Sequence, residues 1–546
     1  MWNLTKKFDD FANLSVNEAT RAVITYLEKQ ELLYKKEHYT HRYPTCWRCH
    51  NELVFRLVEE WFIDCEDIRP KLIEEANKVK WQPGYMRKRM LDWLKNMDNW
   101  CISRKRYWGL PLPFYECTEC GTLTVVSSKA QLLEYSVSKN VDLPELHKPW
   151  IDEITIECPK CKSKVSRISE VGDCWLDAGI VPFSTLHYLS QRSYWNKWFP
   201  ADCVCEMREQ IRLWFYSQLF MGVTLTGKAP YKRVIAHEKV NDKDGDPMHR
   251  SWGNAIWFDE AVKEMGAEIM RWAYLKQKIS QPMKFGFYLE KEIKPFFITL
   301  WNCYNFFATF ANIDHYQPRY NLQELLQNST LTLLDKWILS QLQNLIQSIR
   351  ANMKKFGFRD AIEKCEEFIE NLSTWYIRRN RNRFWTEEET MDKYAAYSTL
   401  YHCLLTLCKL LAPFVPFISE KLYQNLTKNS ESKNPMSVHL NSYPKRNKLF
   451  QNPSLDAKMR TILEIVKIGR NIRNTSNIKL RQPLNEIRIF CINNQDKKTI
   501  KEFEQIILDE LNIKKLIIVS SANETFTLSV KPHYDTLGPK FKQNTK

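Results

Sequence analysis

The sequence predicts a multidomain chain that is α/β over its first half, all-α after that, and closed by a small α+β tail. Three observations carry this prediction. The chain has 546 residues, more than one core organises, and ordinary domain sizes give about three or four domains. Up to about residue 285, short apolar strands alternate with helical stretches, the pattern of an α/β layer. From about Leu289 to Asn425, Gly and Pro become scarce and apolar residues recur at three- and four-residue spacing, the signature of a helical bundle.

The elements follow in order. A helical pattern covers Val16–Gln30, and the segment 43–62 (YPTCWRCHNELVFRLVEEWF) reads as a knuckle followed by a strand. Residues 64–97 read as a helical run broken at Pro83-Gly84. Aromatic residues and Arg alternate from Asn99 to Phe114, and a Cys-rich block runs from Cys117 to Cys161. In the bundle, Leu333–Met353, Ala361–Trp375 and Ala396–Leu411 have amphipathic spacing. The polar stretch Thr427–Ser437 reads as a linker. Beyond it come a basic helix over Leu455–Thr475 and short strands around Ile487–Cys491 and Leu516–Val519. No internal repeat at a fixed period is visible.

Composition narrows the function classes. With 44% hydrophobic and 26% charged residues, the chain has the balance of a globular protein. No apolar run reaches the length of a membrane span, and the first residues lack the apolar core of a secretory signal. A cytoplasmic, monomeric protein is expected. The formal charge of +16 favours a polyanionic partner such as nucleic acid, against the plain alternative of a basic compositional background.

The 16 cysteines fall into two groups. Single ones in apolar contexts, such as Cys303 and Cys408, read as small buried hydrophobes of a reducing compartment. Cys117-x2-Cys120 and Cys158-x2-Cys161 are paired knuckles whose four thiolates can meet tetrahedrally on a structural zinc ion. Cys46-x2-Cys49 supplies two ligands, with His50 adjacent, and reads either as part of a metal site or as an empty thiol pair. Cys203 and Cys205 read as buried strand residues. The loop DPMHRSWGN (Asp246–Asn254) offers His249, Arg250 and Ser251 as phosphate donors, or is a solvated loop. In WYIRRNRNRFW, Arg378, Arg379, Arg381 and Arg383 lie between Trp375 and Trp385, which suits base stacking and phosphate contact or, equally, a solvated basic face.

Taken together these segments resemble isoleucyl-tRNA synthetases, in the order that family shows, over nearly the whole chain. YPTCWRCHNELVFR is similar to the segment where the family's editing insertion rejoins its catalytic domain. NWCISRKRYWGLPLP (Asn99–Pro113) resembles the arginine-rich WG segment, and GDCWLDAG (Gly172–Gly179) the DVWFDSG segment. EMREQIRLWFYS (Glu206–Ser217) is similar to EGxDQxRGWFxS, and PMHRS (Pro247–Ser251) stands in the place of KMSKS. WYIRRNRNRFW and LAPFVPFISEKLY (Leu411–Tyr423) resemble the anticodon-binding bundle, and NIRNTSNIKLRQPL (Asn471–Leu484) the segment that separates isoleucine members from valine and leucine members.

The resemblance implies the second half of a class I Rossmann-like catalytic domain over 43–288, with the zinc knuckle inserted at 114–165 and the KMSKS-like loop at 246–254. It implies a remnant of the editing insertion over 1–42, a helical anticodon-binding domain over 289–430 and an α+β tRNA-binding tail over 438–546. The implied substrates are ATP with Mg²⁺, L-isoleucine and tRNA(Ile). Glu206 and Gln210 would hold the isoleucyl-adenylate, Trp175 and Trp214 would wall the isoleucine pocket, and His249, Arg250 and Ser251 would bind the ATP phosphates. Pro247 and Arg250 replace the two lysines of KMSKS, with Lys243 a weak substitute for the missing cation. Met207 and Leu213 stand where the family commonly has Gly.

No HIGH-like motif occurs in the 546 residues. The expectation is therefore a fragment or one part of a split ligase, with a HIGH-bearing chain as partner. The competing expectation is a zinc-containing tRNA-binding module without activation chemistry.

Overall fold

The structure is a computed structural model, and it describes residues 10–46, 51–53, 57–138, 142–318, 321–428 and 434–521. Cys49 and His50 lie outside the described residues. The chain divides into two compact units, 1–235 and 236–546.

The first unit is built around a three-stranded sheet in the order Val204–Met207, Arg233–His237, Lys80–Gln82. Lys80–Gln82 runs parallel to Arg233–Ile235. This strand is what interrupts the helical run expected over 64–97, leaving helices Arg69–Lys78 and Tyr85–Asn96 on either side. Its partner lies about 150 residues downstream, a pairing that local periodicity does not report. Trp81 locks the corner: its indole N–H donates to the Ala76 carbonyl at 2.8 Å, and its ring meets Phe215 and Tyr231 edge-on. Buried Glu75 accepts from the Ala229 N–H at 3.0 Å, tying the helix to the turn before Tyr231. The helix Trp214–Thr226 is apolar on nearly every face and correspondingly buried, and it stops at Gly227 in the left-handed conformation. On the strand Val204–Met207, Val204 is buried but Cys205 is exposed, which corrects the expectation that Cys203 and Cys205 are both buried: successive strand side chains face opposite ways.

The Cys-rich block forms two antiparallel hairpins, Phe114–Glu116 with Leu123–Val125 and Thr155–Glu157 with Lys164–Ser166. They enclose a small core of their own, including Tyr115, Leu132, Ile151, Ile156 and Val165.

In the second unit, Val240–Asn241 pairs in parallel with Met283–Lys284. Helices Phe258–Met265 and Ala267–Lys276 lead into the bundle of Tyr288–Ile313, Leu333–Lys355, Phe358–Asn371, Arg378–Trp385, Met391–Leu411 and Pro416–Thr427. A capping box on Thr332 and Asp335 starts the helix expected at Leu333. The helix expected over Ala361–Trp375 is α-helical to Asn371 and then widens into a π-helical turn, Leu372–Ile377. In the tail, the helix Pro453–Thr475 precedes two parallel strands, Leu484–Phe490 and Ile513–Val519, joined through helices Asn494–Glu502 and Glu504–Leu511. One continuous core runs from Ala261 to Leu511, so this tail is packed on the bundle, not appended to it. Among the described residues no helix is long and apolar enough to cross a membrane.

Candidate active site and metal centre

The strongest constellation is the cysteine cluster. The Sγ atoms of Cys117, Cys120, Cys158 and Cys161 all lie within 4.8 Å of one another. Cys117 and Cys161 are 3.5 Å apart, Cys120 and Cys158 3.7 Å. Tetrahedral Zn–S bonds of about 2.3 Å give S···S separations of roughly 3.8 Å, so the four thiols fit such an ion. Both knuckles have the same backbone. The N–H of Cys117 bonds to the Thr122 carbonyl as that of Cys158 does to Ser163, and Gly121 and Lys162 occupy matching left-handed positions. The Ser163 hydroxyl, helped by the Cys120 N–H, holds the Cys117 thiol down to about 6, towards the thiolate that a metal requires. Cys46 shares an antiparallel turn with Asn51, its N–H bonding to the Asn51 carbonyl at 2.8 Å, and Cys49 is outside the described residues.

Also in the first unit, Glu206 lies in the sheet strand Val204–Met207 and Gln210 sits in the helical turn Arg208–Arg212. The Glu206 carboxylate accepts the Met207 N–H at 3.0 Å, and the Gln210 amide oxygen accepts the Trp214 N–H at 3.0 Å. Trp214 opens the helix Trp214–Thr226, and its indole N–H donates at 2.8 Å to Ala178, in the short helix Cys174–Gly179 that carries Trp175. The two helices touch at Gly179, where a Cβ would lie 2.8 Å from the Ser217 carbonyl oxygen. Trp175 and Trp214 are both half-buried. Met207 is ordinary extended backbone, and Leu213 adopts φ −125°, ψ −109°, outside the helix and strand regions.

Sequence reasoning missed the residue that ties these segments together. Asp173, 5% exposed, accepts the Trp175 N–H as the helix cap, accepts the Trp100 indole N–H at 3.1 Å and pairs with Arg104 at 3.0 Å. An Asp just before a helical start was the available signal.

The PMHRS loop is in the second unit. His249, Arg250 and Ser251 are exposed, Arg250 and Ser251 within a single 3₁₀ turn, Arg250–Trp252. The Arg250 guanidinium rests on the Trp257 ring at 4.4 Å, and His249 lies against Trp252 at 4.5 Å. Two residues not singled out from sequence brace the loop. Asp242 accepts the N–H groups of Asp244, Gly245 and Asp246 and the Asn254 amide, which together hold its carboxyl below the usual range. Asn254 in turn accepts the His249 N–H at 2.9 Å. Lys243 is exposed. Lys284, opposite Asn241 in the parallel pair, lies beside Gly245 and is a second cation at the loop.

The arginines of WYIRRNRNRFW are largely committed to carboxylates. Arg383 forms a fork on Asp335 at 2.9 and 3.0 Å, and Asp335, fully buried, also accepts the Tyr376 hydroxyl. Arg378 and Arg379 both pair with Glu510, and Arg379 also with Asp509. Arg381 is exposed. Trp375 is 7% exposed and belongs to the core, while Trp385, at 55%, is the motif's open aromatic surface.

Comparisons with known proteins agree along the chain. The family model for tRNA synthetases class I (I, L, M and V) matches residues 12–286, and that for the anticodon-binding domain of tRNA ligase matches 335–489. An isoleucine–tRNA ligase of Bacillus thuringiensis is 37% identical over 530 residues, covering 96% of this chain and 50% of its own length. The corresponding ligase of Clostridium tetani is 36% identical over 541 residues, covering 98% and 51%. The chain spans about half the length of the curated relatives it matches. A methionyl-tRNA synthetase of Mycobacterium tuberculosis, solved with methionyl-adenylate, superposes with TM-score 0.51 at 14% identity, covering 74% of this chain and 72% of its own, and shows the shared fold. With a catalytic-domain match over half its residues and an anticodon-domain match after it, the chain belongs to the class I tRNA synthetases of the isoleucine, leucine, methionine and valine group.

Proposed function

We propose that this chain takes part in isoleucine–tRNA ligation: ATP, L-isoleucine and tRNA(Ile) give AMP, diphosphate and L-isoleucyl-tRNA(Ile). The observation that carries the reading is the 37% identity over 530 residues with a ligase named for isoleucine. In the first step an isoleucine carboxylate oxygen attacks the α-phosphorus of ATP, and the bond to diphosphate breaks. In the second, a terminal ribose hydroxyl of the tRNA attacks the acyl carbon and AMP leaves with the bond electrons. No protein nucleophile is needed; the chain's work is positioning and charge stabilisation.

Glu206 and Gln210 hold the adenylate, and Trp175 and Trp214 offer indole faces to the branched side chain. His249, Arg250 and Ser251 engage the Mg²⁺-bound ATP phosphates, for which Arg250 must leave Trp257. Zinc in the Cys117, Cys120, Cys158 and Cys161 cluster is structural, since four protein ligands leave no open position. Residues 43–288 serve as the partial catalytic domain, 289–430 as the anticodon-binding domain and 438–546 as a tRNA-binding tail, with Arg381 and Trp385 the accessible members of the bundle motif that are not committed to a carboxylate. The site of action is the cytoplasm.

Isoleucine-dependent ATP–diphosphate exchange tests the reading, with the chain alone and mixed with a HIGH-bearing chain. Exchange in the mixture only is the expected result and marks a split ligase. A second reading, a zinc-containing tRNA-binding module, is favoured by Pro247 in place of a loop cation. It predicts tRNA binding with no exchange in either sample.

A further inference from the structure

A cavity of about 410 Å³ in the second unit is lined by Thr374, Arg378, Arg470, Arg473, Asn474 and Leu480. Three arginines line it, and no carboxylate is among its described lining residues. Arg473 is only 4% exposed. Its Nη2 donates to the carbonyls of Lys479, Leu480 and Gln482, but its Nε and Nη1 are buried and have no acceptor among the described residues. The Nε of Arg470 is in the same position. Leaving guanidinium donors buried and unpaired costs free energy that a bound anion recovers.

Glu510, itself 3% exposed, pairs with Arg378, Arg379 and Arg470 from outside the cavity lining, and Asp509 pairs with Arg379. Three arginines thus share two carboxylates, and Arg473 pairs with no carboxylate among the described residues, so the cluster carries an excess of two positive charges, one of them on Arg473. We infer that this cavity seats a phosphate group. Guanidinium forks match tetrahedral oxyanions by paired N–H donors, and Asn474 adds an amide. The volume admits a phosphate together with the sugar that carries it. A backbone phosphate of RNA and free inorganic phosphate share this chemistry. Only the choice between them rests on the proposed function; the affinity for phosphate does not.

Inorganic phosphate is titrated calorimetrically into the full chain and into Arg470→Gln, Arg473→Gln and Glu510→Gln variants. Removing either arginine weakens binding by about ten-fold or more. Glu510→Gln strengthens it while lowering the melting temperature, because the competing carboxylate is gone. That opposite sign separates the site from general damage. Should Arg473→Gln not fold, having lost its hold on three carbonyls, the other two variants carry the test. Phosphate binding absent from the native chain, or equal in native, Arg470→Gln and Glu510→Gln proteins, overturns the inference. A tRNA transcript bound at several salt concentrations gives the source. A salt slope reduced by about 0.7–0.9 in Arg470→Gln puts the phosphate on RNA, and an unchanged slope with phosphate binding lost puts it on a free anion. Neither readout depends on ligase activity, so a failed exchange assay leaves both standing.

Discussion

Asp242 accepts three backbone N–H groups and one side-chain amide, and through Asn254 it also fixes His249. Its folded pKa is depressed, with the Asn254 amide the first cause and the Asp246 N–H the next. A depressed carboxylate stabilises its loop above the unfolded value, near 3.9, and loses that contribution as pH falls through the folded value. Amide protection at 244–246, corrected for intrinsic exchange, is therefore flat from neutral pH down to about 5 and falls once the pH drops below about 3.9. Asp242→Ala lowers that protection already at neutral pH and removes the acid dependence. At the proposed isoleucine pocket, Trp214 is fixed at both its backbone and indole N–H groups. Trp214→Ala in an exchange-competent preparation cuts the preference for isoleucine over valine by roughly 10- to 100-fold, since one methylene is worth about 1–3 kcal/mol in such a pocket. Unchanged selectivity would remove Trp214 from the pocket.

Between elements, two contacts set the tolerances. At Gly179 an added methyl meets the Ser217 backbone, which cannot rotate away. Gly179→Ala must push the two tryptophan-bearing helices apart and costs about 1–3 kcal/mol, read by denaturant unfolding. Asp335 is fully buried and holds Arg383 bidentately while accepting the Tyr376 hydroxyl. Asp335→Ala leaves that guanidinium without its buried partner and lowers stability by about 3–5 kcal/mol. The reach of the sequence is visible in these same places. Helices such as Leu333–Lys355 were legible because their apolar period and caps are local. The Arg383–Asp335 pair was not, because its members are 48 residues apart and a run of arginines reads alike whether solvated, RNA-facing or paired. The π turn Leu372–Ile377 was also invisible: it changes the helical phase just before Arg378, and residue types alone do not announce one extra residue in a turn.

At the scale of the whole molecule, two cores among the described residues matter separately: that of the knuckle and that running from Ala261 to Leu511. The four cysteines were readable from spacing alone, because metal geometry imposes it. The single core joining loop, bundle and tail was not, because it depends on contacts between distant segments. Stripping the proposed zinc with a chelator frees the knuckle first. Limited proteolysis then cleaves within 114–165 while the far-ultraviolet helical signal stays close to native; loss of the helical signal in step with cleavage would show that the knuckle is not independent. The helix Ala267–Lys276 carries a different consequence. Its Arg271 donates to the Phe414 carbonyl, its Trp272 to Glu366, and its Glu268 accepts the Phe417 N–H, 149 residues ahead. On a ribosome adding about 5–20 residues per second, this helix waits roughly 7–30 s for its most distant anchor to be synthesised. Trp272 gains its stacking partner Phe296 early, but the Arg271 and Glu268 contacts stay open until the end of the bundle emerges, and the nascent chain has to be kept from its neighbours until then.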